Sequence, residues 1–216
     1  MKSVLVIGLG TFGTFAAKKY ATLGNHVMAI DINEEPVNDI APFVQSAQIA
    51  DCTKEEFLRS IGVRDFDICL VAIGRNFQAS LEITSLLKDL GAEYVISKTT
   101  RDIQAKFLLR NGADRVVYPD KDLGEHIAIC TSTNVISDFI ELSDEVAIYE
   151  MQVPEPWVGK TIVQLAIRSK YSVNVLAVKS NGRVSAMPDA NYVFQDGENI
   201  VVLGSNKDIK KILSSK

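Results

Sequence analysis

Val4-Leu5-Val6-Ile7-Gly8-Leu9-Gly10-Thr11-Phe12-Gly13 is an apolar run that breaks into three spaced glycines. Its continuation, Thr14 to Leu23, leads to a second apolar run, His26 to Ile30, that ends on Asp31. Each glycine in such a corner has a mechanical task. The first allows the tight turn out of the strand, the second lets backbone come close to a phosphate, and the third lets the following helix pack tightly on the strand. Phosphate oxygens then face unpaired N–H groups at the helix N-terminus, where the macrodipole favours negative charge. Asp31 stands where an acid accepts hydrogen bonds from ribose hydroxyls. G-x-G-x-x-G alone is a weak signal, but strand, helix, second strand and acid follow here in the order a nucleotide-binding unit requires.

Outward from that corner, apolar runs alternate with helical patterns. Val4 to Gly8, Val27 to Asp31, Ser46 to Ala50, Ile68 to Gly74, Tyr94 to Lys98 and Arg115 to Tyr118 read as six strands. Stretches beginning near Thr11, Glu34, Lys54, Asn76, Asp102 and Lys121 carry apolar residues at helical spacing, with Gly24, Gly62, Gly91 and Gly112 as stops. Strands apolar on both faces and separated by helices imply a parallel sheet covered on both sides. The expected fold class is therefore α/β, a doubly wound, Rossmann-like, six-stranded parallel sheet, with a second, smaller α+β domain. Ligands in such sheets sit at the carboxyl ends of the strands, which are here Gly8, Asp31, Ala50-Asp51, Ala72-Ile73-Gly74 and Lys98.

After Pro119 the reading changes. Asp120 to Leu142 reads as one long helix whose Leu123, Ile127, Ile129, Cys130, Val135, Ile136, Phe139 and Ile140 spread over more than one face. Such a helix is buried between lobes or against another subunit, and a subunit contact is the favoured expectation. The expected domains are thus 1–142, including this crossover helix, and 143–216. The second begins with a strand from Val146 to Val153, a Pro154-Glu155-Pro156 corner and a short helix around Thr161 to Arg168. Strands at Val173 to Lys179, Val184 to Ala186 and Asn199 to Leu203 and a last helix from Asn206 complete it. Asn181-Gly182 and Asp196-Gly197 supply the positive φ that tight turns need. Only the tail Ser214 to Lys216 reads as disordered.

Composition bounds function. With 47% hydrophobic and 23% charged residues the chain is an ordinary globular one. A net charge of −4 without a concentrated basic stripe argues against nucleic acid. No apolar run is long enough for a bilayer and no signal peptide precedes the first strand, so a cytoplasmic location is expected. Cys52, Cys69 and Cys130 are widely spaced and odd in number, which suggests reduced thiols rather than disulfides or a zinc site. His26 and His126 show no partner arrangement for acid-base work. No Ser-His-Asp arrangement, Walker lysine or metal-ligand spacing is legible, so no catalytic residue is assigned and the chain reads as a binder of nucleotide, not an enzyme. A small NAD-dependent oxidoreductase is the alternative from the enzyme class.

Several motifs together resemble one family: Val6-Ile7-Gly8-Leu9-Gly10-Thr11-Phe12-Gly13, Ala29-Ile30-Asp31-Ile32-Asn33-Glu34-Glu35, Val71-Ala72-Ile73-Gly74, Asn111-Gly112-Ala113-Asp114-Arg115, Pro119-Asp120-Lys121-Asp122 and, in the small lobe, Leu165-Ala166-Ile167-Arg168-Ser169-Lys170-Tyr171. They resemble the cytosolic regulatory subunits, built of regulator-of-conductance (RCK) domains, of Ktr/Trk potassium uptake systems. A single copy of each lobe is more like the Ktr branch. The resemblance implies a homo-oligomer in which dimers assemble into an octameric ring, peripheral at the inner face of the membrane on a membrane-embedded potassium-translocating subunit. It implies an adenine nucleotide, ATP, ADP or AMP with NAD(H) as a further candidate, held by Gly8, Gly10, Thr11, Phe12, Gly13, Asp31, Ile32, Asp51, Cys52, Ala72, Ile73, Gly74 and Lys98. Gly8, Gly10 and Gly13 would face phosphate, Asp31 ribose, Asp51 and Cys52 the adenine side, and Lys98 a phosphate. Asp51 reads equally as a helix cap, and Lys98 also as a solvated strand-end charge.

Two positions depart from the family pattern. Thr11 stands where many members have an arginine that reaches a terminal phosphate, and Asp120 where some have a glutamate that helps hold a divalent cation. Asp120 is also readable as the N-cap of the following helix. In some relatives the small lobe binds a cyclic dinucleotide, cyclic di-AMP, between two copies. Ile162, Arg168, Tyr171 and Asn174 would be its walls, with Gln164 where relatives tend to have aspartate. A sensor of that ligand is a further alternative.

Overall fold

The computed structural model describes residues 1–132 and 135–214; Thr133, Asn134, Ser215 and Lys216, and with the last two most of the expected disordered tail, lie outside the described residues. The chain divides into two compact units, Met1–Asp122 and Leu123–Lys216.

In the first unit the strands are β1 (Ser3–Ile7), β2 (His26–Asp31), β3 (Ser46–Ile49), β4 (Ile68–Val71), β5 (Val95–Lys98) and β6 (Arg115–Val117). They form one parallel sheet in the order β3-β2-β1-β4-β5-β6. Helices α1 (Thr11–Thr22), α2 (Glu34–Ile40), α3 (Glu55–Ser60), α4 (Phe77–Asp89) and α5 (Asp102–Arg110) are the crossovers. β1 lies centrally, so alternate side chains enter two cores. Leu5 and Ile7 join Leu58 of α3 and Ile83 and Leu87 of α4, while Val4 and Val6 join Ala17 of α1 and Val37 and Ile40 of α2. This is why the strand shows no polar alternation. Gly24, Gly62, Gly91 and Gly112 all have positive φ, as helix-stop glycines require. The strand order reverses between β1 and β4, which opens a crevice at their carboxyl ends.

α6 (Pro119–Thr131) follows β6. The single helix expected over Asp120 to Leu142 is not what forms. Further on, Ile136–Glu141 is a strand, β7, paired antiparallel with β8 (Val146–Gln152). The physical reason is legible in hindsight. Thr131 and Ser132 are poor helix formers that compete for backbone hydrogen bonds, and Ile136 and Phe139 find buried partners across β8 in Met151 and Tyr149. The first compact unit accordingly closes near Asp122 rather than at residue 142. No residue of α6 is buried; Leu123, Ile127 and Ile129 stand largely exposed along it.

The second unit is built on the antiparallel sheet β10-β9-β11-β8-β7, with β9 (Asn174–Ser180), β10 (Arg183–Ala186) and β11 (Asn199–Ser205). Asn181 and Gly182, both at positive φ, make the β9–β10 hairpin turn. The expected short helix is split: α7 (Ile162–Leu165) and α8 (Ile167–Tyr171) meet at Ala166, which is left-handed at φ 47°. Thr161 and Gln164 form a reciprocal capping box on α7, with Gln164 N–H donating to Thr161 Oγ1 at 3.1 Å and Thr161 N–H to Gln164 Oε1 at 2.9 Å. With α9 (Asn206–Ser214) the sheet encloses Trp157, Phe194, Met151, Ile200, Val202, Ile209 and Ile212. Trp157 packs on Phe194 at a ring separation of 5.8 Å and on Tyr171 at 5.3 Å.

Candidate nucleotide-binding site

The turn from β1 into α1 has the construction its glycines require. Gly8 adopts φ +94°, and its N–H donates to the Ile30 carbonyl at 2.8 Å, holding the turn against β2. A Cβ on Gly13 would strike the Gly8 carbonyl oxygen and stand 3.1 Å from Ala72 Cβ, so this glycine lets α1 settle on the sheet. Gly10 differs: a Cβ there meets nothing within 4 Å. The open space lies over the start of α1, whose N-cap is Gly10 and carries no side-chain cap. Unpaired first-turn amides beside open space are the elements of an anion site.

Two clefts run on from this turn and share Gly8, Asp31, Ile32, Ile73 and Asn76. One, about 510 Å³, is lined by Gly10, Thr11, Phe12, Asn33, Ala72, Gly74, Arg75, Lys98 and Asp120. The other, about 300 Å³, is a more apolar slot of Ile7, Ala50, Asp51, Cys52, Thr53, Ala79 and Ile83. A compartment carrying two cations, Lys98 and Arg75, next to a more apolar slot suits a ligand with phosphates at one end and a flat base at the other.

Asp31 does more than stand at a strand end. Its Oδ2 accepts from the Leu9 N–H at 2.7 Å, and its Oδ1 from the N–H and Nδ2 of Asn33 at 2.9 and 3.0 Å. The carboxylate therefore fastens the glycine turn to β2. A carboxylate has about four lone-pair positions, so capacity remains for ribose hydroxyls. Asp51 Oδ1 accepts from Thr53 Oγ1 at 2.7 Å and Thr53 N–H at 3.0 Å, which holds its carboxyl below the usual range. It thus braces the loop before α3, whose N-cap is Lys54, and also lines the slot. Cys52 is buried, and burial, with Asp51 and Asp31 nearby, pushes its thiol up to about 12. It is a neutral, inert wall of the slot.

Lys98, 15% exposed, approaches Asp120 Oδ2 at 3.6 Å and lies 5.7 Å from the centroid of the Phe12 ring. Asp120 is the second residue of α6, inside its first turn rather than at its N-cap. Arg75, Asn76, Asn33, Thr53, Ala79 and Ile83 also line the clefts and escaped sequence reasoning. Arg75 directly follows the quoted Ile73-Gly74 and was the one most open to detection, as a cation at the end of a strand beside the topological switch point. In the second unit Ile162 and Tyr171 pack against the core, whereas Arg168 and Asn174 are exposed. Ile162 and Tyr171 are only partly buried there and keep an exposed edge.

A glycine turn and a ligand cleft at the switch point of such a sheet, joined in sequence to a small antiparallel unit, define a class. Residues 4–119 match the TrkA-N domain and residues 146–215 the TrkA-C domain, and the chain belongs to that family. Within it, the chain is 39% identical over 210 residues to the Ktr system potassium uptake protein A of Bacillus subtilis (strain 168), covering 97% of this chain and 95% of that one. It is 38% identical over 219 residues to the Ktr system potassium uptake protein C of the same organism, covering 100% and 99%. Among solved structures, the GsuK channel superposes with a TM-score of 0.73 at 17% identity, over 99% of this chain. The chain spans only 39% of that channel chain, and the likeness there is one of fold. Among the described residues, no helix is long and apolar enough to cross a membrane.

Proposed function

We propose that this chain is a nucleotide-binding regulatory subunit of a potassium-uptake system, acting at the inner face of the membrane by gating a membrane-embedded ion-translocating partner. The observation that carries the reading is the open space over Gly10 and the uncapped start of α1, continuous with an apolar slot of base-like dimensions. Phosphates would rest on the α1 amides with Lys98 and Arg75 as counter-charges, the ribose at Asp31, and adenine between Ile32, Cys52 and Ile83. Gly8, Thr11, Phe12, Asp51, Ala72, Ile73 and Gly74 would complete the walls, whereas Gly13, expected to face phosphate, lines neither cleft and lies under α1 against the sheet. A divalent cation at Asp120 would have to part that carboxylate from Lys98.

Gating requires that a nucleotide bind two arrangements of the assembly with different affinity; tight binding alone shifts nothing. Phosphate number is the natural discriminator, because each added phosphate brings charge that amides and cations must meet. Copies of the chain would assemble as dimers into a ring, with the exposed apolar side chains Ile103, Phe107 and Leu109 of α5 and Leu123, Ile127 and Ile129 of α6 as contact surface. Native mass, measured together with the identity of nucleotide released on denaturation, tests the proposal. A protein that stays monomeric and nucleotide-free with millimolar ATP, ADP or NADH contradicts it, and steady oxidation of NADH by a carbonyl compound would make it an oxidoreductase instead.

Asp31→Ala is expected to weaken ADP binding by about 1 to 3 kcal/mol through lost ribose hydrogen bonds. Calorimetry with the 2′,3′-dideoxy nucleotide separates this from loosening of the glycine turn. The wild type should prefer ADP over the dideoxy form and the variant should not; a preference that survives the substitution removes Asp31 from the ribose.

Arg75 makes the absence of the family's arginine at Thr11 less consequential, since it offers a guanidinium to the same cleft from the loop between β4 and α4. Arg75→Ala should cost about 1 to 2 kcal/mol of ATP affinity, the low end for a charged hydrogen bond because the residue is exposed. AMP should lose less. An equal loss for AMP, ADP and ATP would place Arg75 away from the terminal phosphates.

A further inference from the structure

The pairing of β7 with β8 brings together three side chains that sequence spacing kept apart. His126 and Cys130 lie four residues apart on one face of α6. Asp138 comes back to them from β7, just after a register shift between Ile136 and Asp138, a kind of irregularity that re-aims a side chain. His126 Nε2 stands 3.0 Å from Asp138 Oδ1 and 3.7 Å from Cys130 Sγ, and one ligand atom from each residue lies within 4.8 Å of the others.

We infer that His126, Cys130 and Asp138 form a divalent-metal site whose donor set selects Zn²⁺. Tetrahedral Zn²⁺ with ordinary bond lengths sets its sulfur and nitrogen ligands about 3.6 Å apart and its nitrogen and oxygen ligands about 3.4 Å apart. The two separations at His126 Nε2 need to change by only a few tenths of an ångström, and the Cys130 sulfur and Asp138 oxygen, within 4.8 Å of each other, close to about 3.5 Å as the ion draws them in. Thiolate, neutral imidazole and carboxylate carry two negative charges, which the ion balances, and the thiolate-imidazole pair disfavours Mg²⁺ and Ca²⁺. Binding releases the thiol proton to solvent.

The ligands are also held. The His126 ring stacks on Phe139 at 4.9 Å and 13°, and Phe139 in turn on Tyr149. Asp138 Oδ1 accepts from the Phe139 N–H at 2.8 Å. Such outer contacts fix ligand orientation in metal sites. The Asp138 side chain is 60% exposed, so the fourth coordination position opens to solvent and takes water. The bound ion would tie the last turn of α6 to the first strand of the second unit's sheet.

Co²⁺, which substitutes for Zn²⁺ and reports its ligands, is the direct probe. Titration of chelator-stripped, full-length protein should give one equivalent per chain with the visible bands of a tetrahedral ion and the near-ultraviolet charge transfer of a thiolate ligand. Zn²⁺ should displace it and should protect Cys130 from iodoacetamide. Cys130→Ser, nearly isosteric, should abolish the charge transfer, and both it and His126→Ala should weaken Zn²⁺ by more than about 100-fold, beyond the loss typical of an outer contact. A Co²⁺ complex of the wild type without thiolate charge transfer, or Zn²⁺ affinity unchanged in both variants, overturns the site and leaves His126 and Asp138 as a simple hydrogen-bonded pair.

Discussion

Gly13→Ala should destabilise the first unit by about 1 to 3 kcal/mol or more and abolish nucleotide binding, although alanine is a good helix former and the position lies inside α1. Gly13 has no left-handed backbone to protect. The added methyl runs into the Gly8 carbonyl oxygen, a backbone atom of the same turn that cannot swing aside as a side chain would. α1 must therefore lift from β1, which breaks the contact at Ala72 and shifts the amides that would meet phosphate. Gly10→Ala is the matched control. Its methyl enters open space, so stability should fall by no more than about 1 kcal/mol while nucleotide affinity still drops, because the methyl occupies the space over the amides. Urea unfolding followed by far-ultraviolet circular dichroism reads the first effect and calorimetry the second. Equal stability of the two variants would mean that the turn is not packed as described.

Trp157→Ala should cost the second unit about 3 to 5 kcal/mol, the range for emptying a large aromatic site. The indole is 1% exposed and is wedged between Phe194 and Tyr171 under the five-stranded sheet. The surrounding Met151, Ile200 and Val202 sit on paired strands of the same core, which limits how far it can collapse into the void. Each unit has a core of its own, so nucleotide affinity, which belongs to the first, should survive conditions in which the altered second unit has melted. Differential scanning calorimetry with and without ADP distinguishes the cases. A single transition that moves by less than 1 °C in the variant would place Trp157 outside the core. Trp157 is the only tryptophan in the chain, so in the Gly13 variants its fluorescence reports the second unit alone.

The parallel sheet was legible because its strands are apolar on both faces and its helices stop at glycines, both local signals that need no tertiary information. The nucleotide corner was legible for the same reason: Gly8, Gly10, Gly13 and Asp31 all lie within one strand-helix-strand passage. Where local and long-range signals diverged, the reading failed. Val135, Ile136, Phe139 and Ile140 have a spacing that fits a helix extended from α6, and only the presence of β8 alongside decides that Ile136 and Phe139 pair as a strand. Arg75 is different: Ile73 and Gly74 beside it were already placed at the ligand end of a strand, and only its own side chain was left out.

What the sequence determined alone, then, is the succession of strands and helices up to β6 and the phosphate-facing turn, because propensity, periodicity and glycine geometry act over a few residues. Tertiary structure decided how Asp31 is used, as a fastener of the Leu9 amide in the glycine turn, and that Asp138 meets His126 and Cys130. Those are contacts between separate elements. Their energies depend on which surfaces the fold brings together, and no spacing along the chain encodes that.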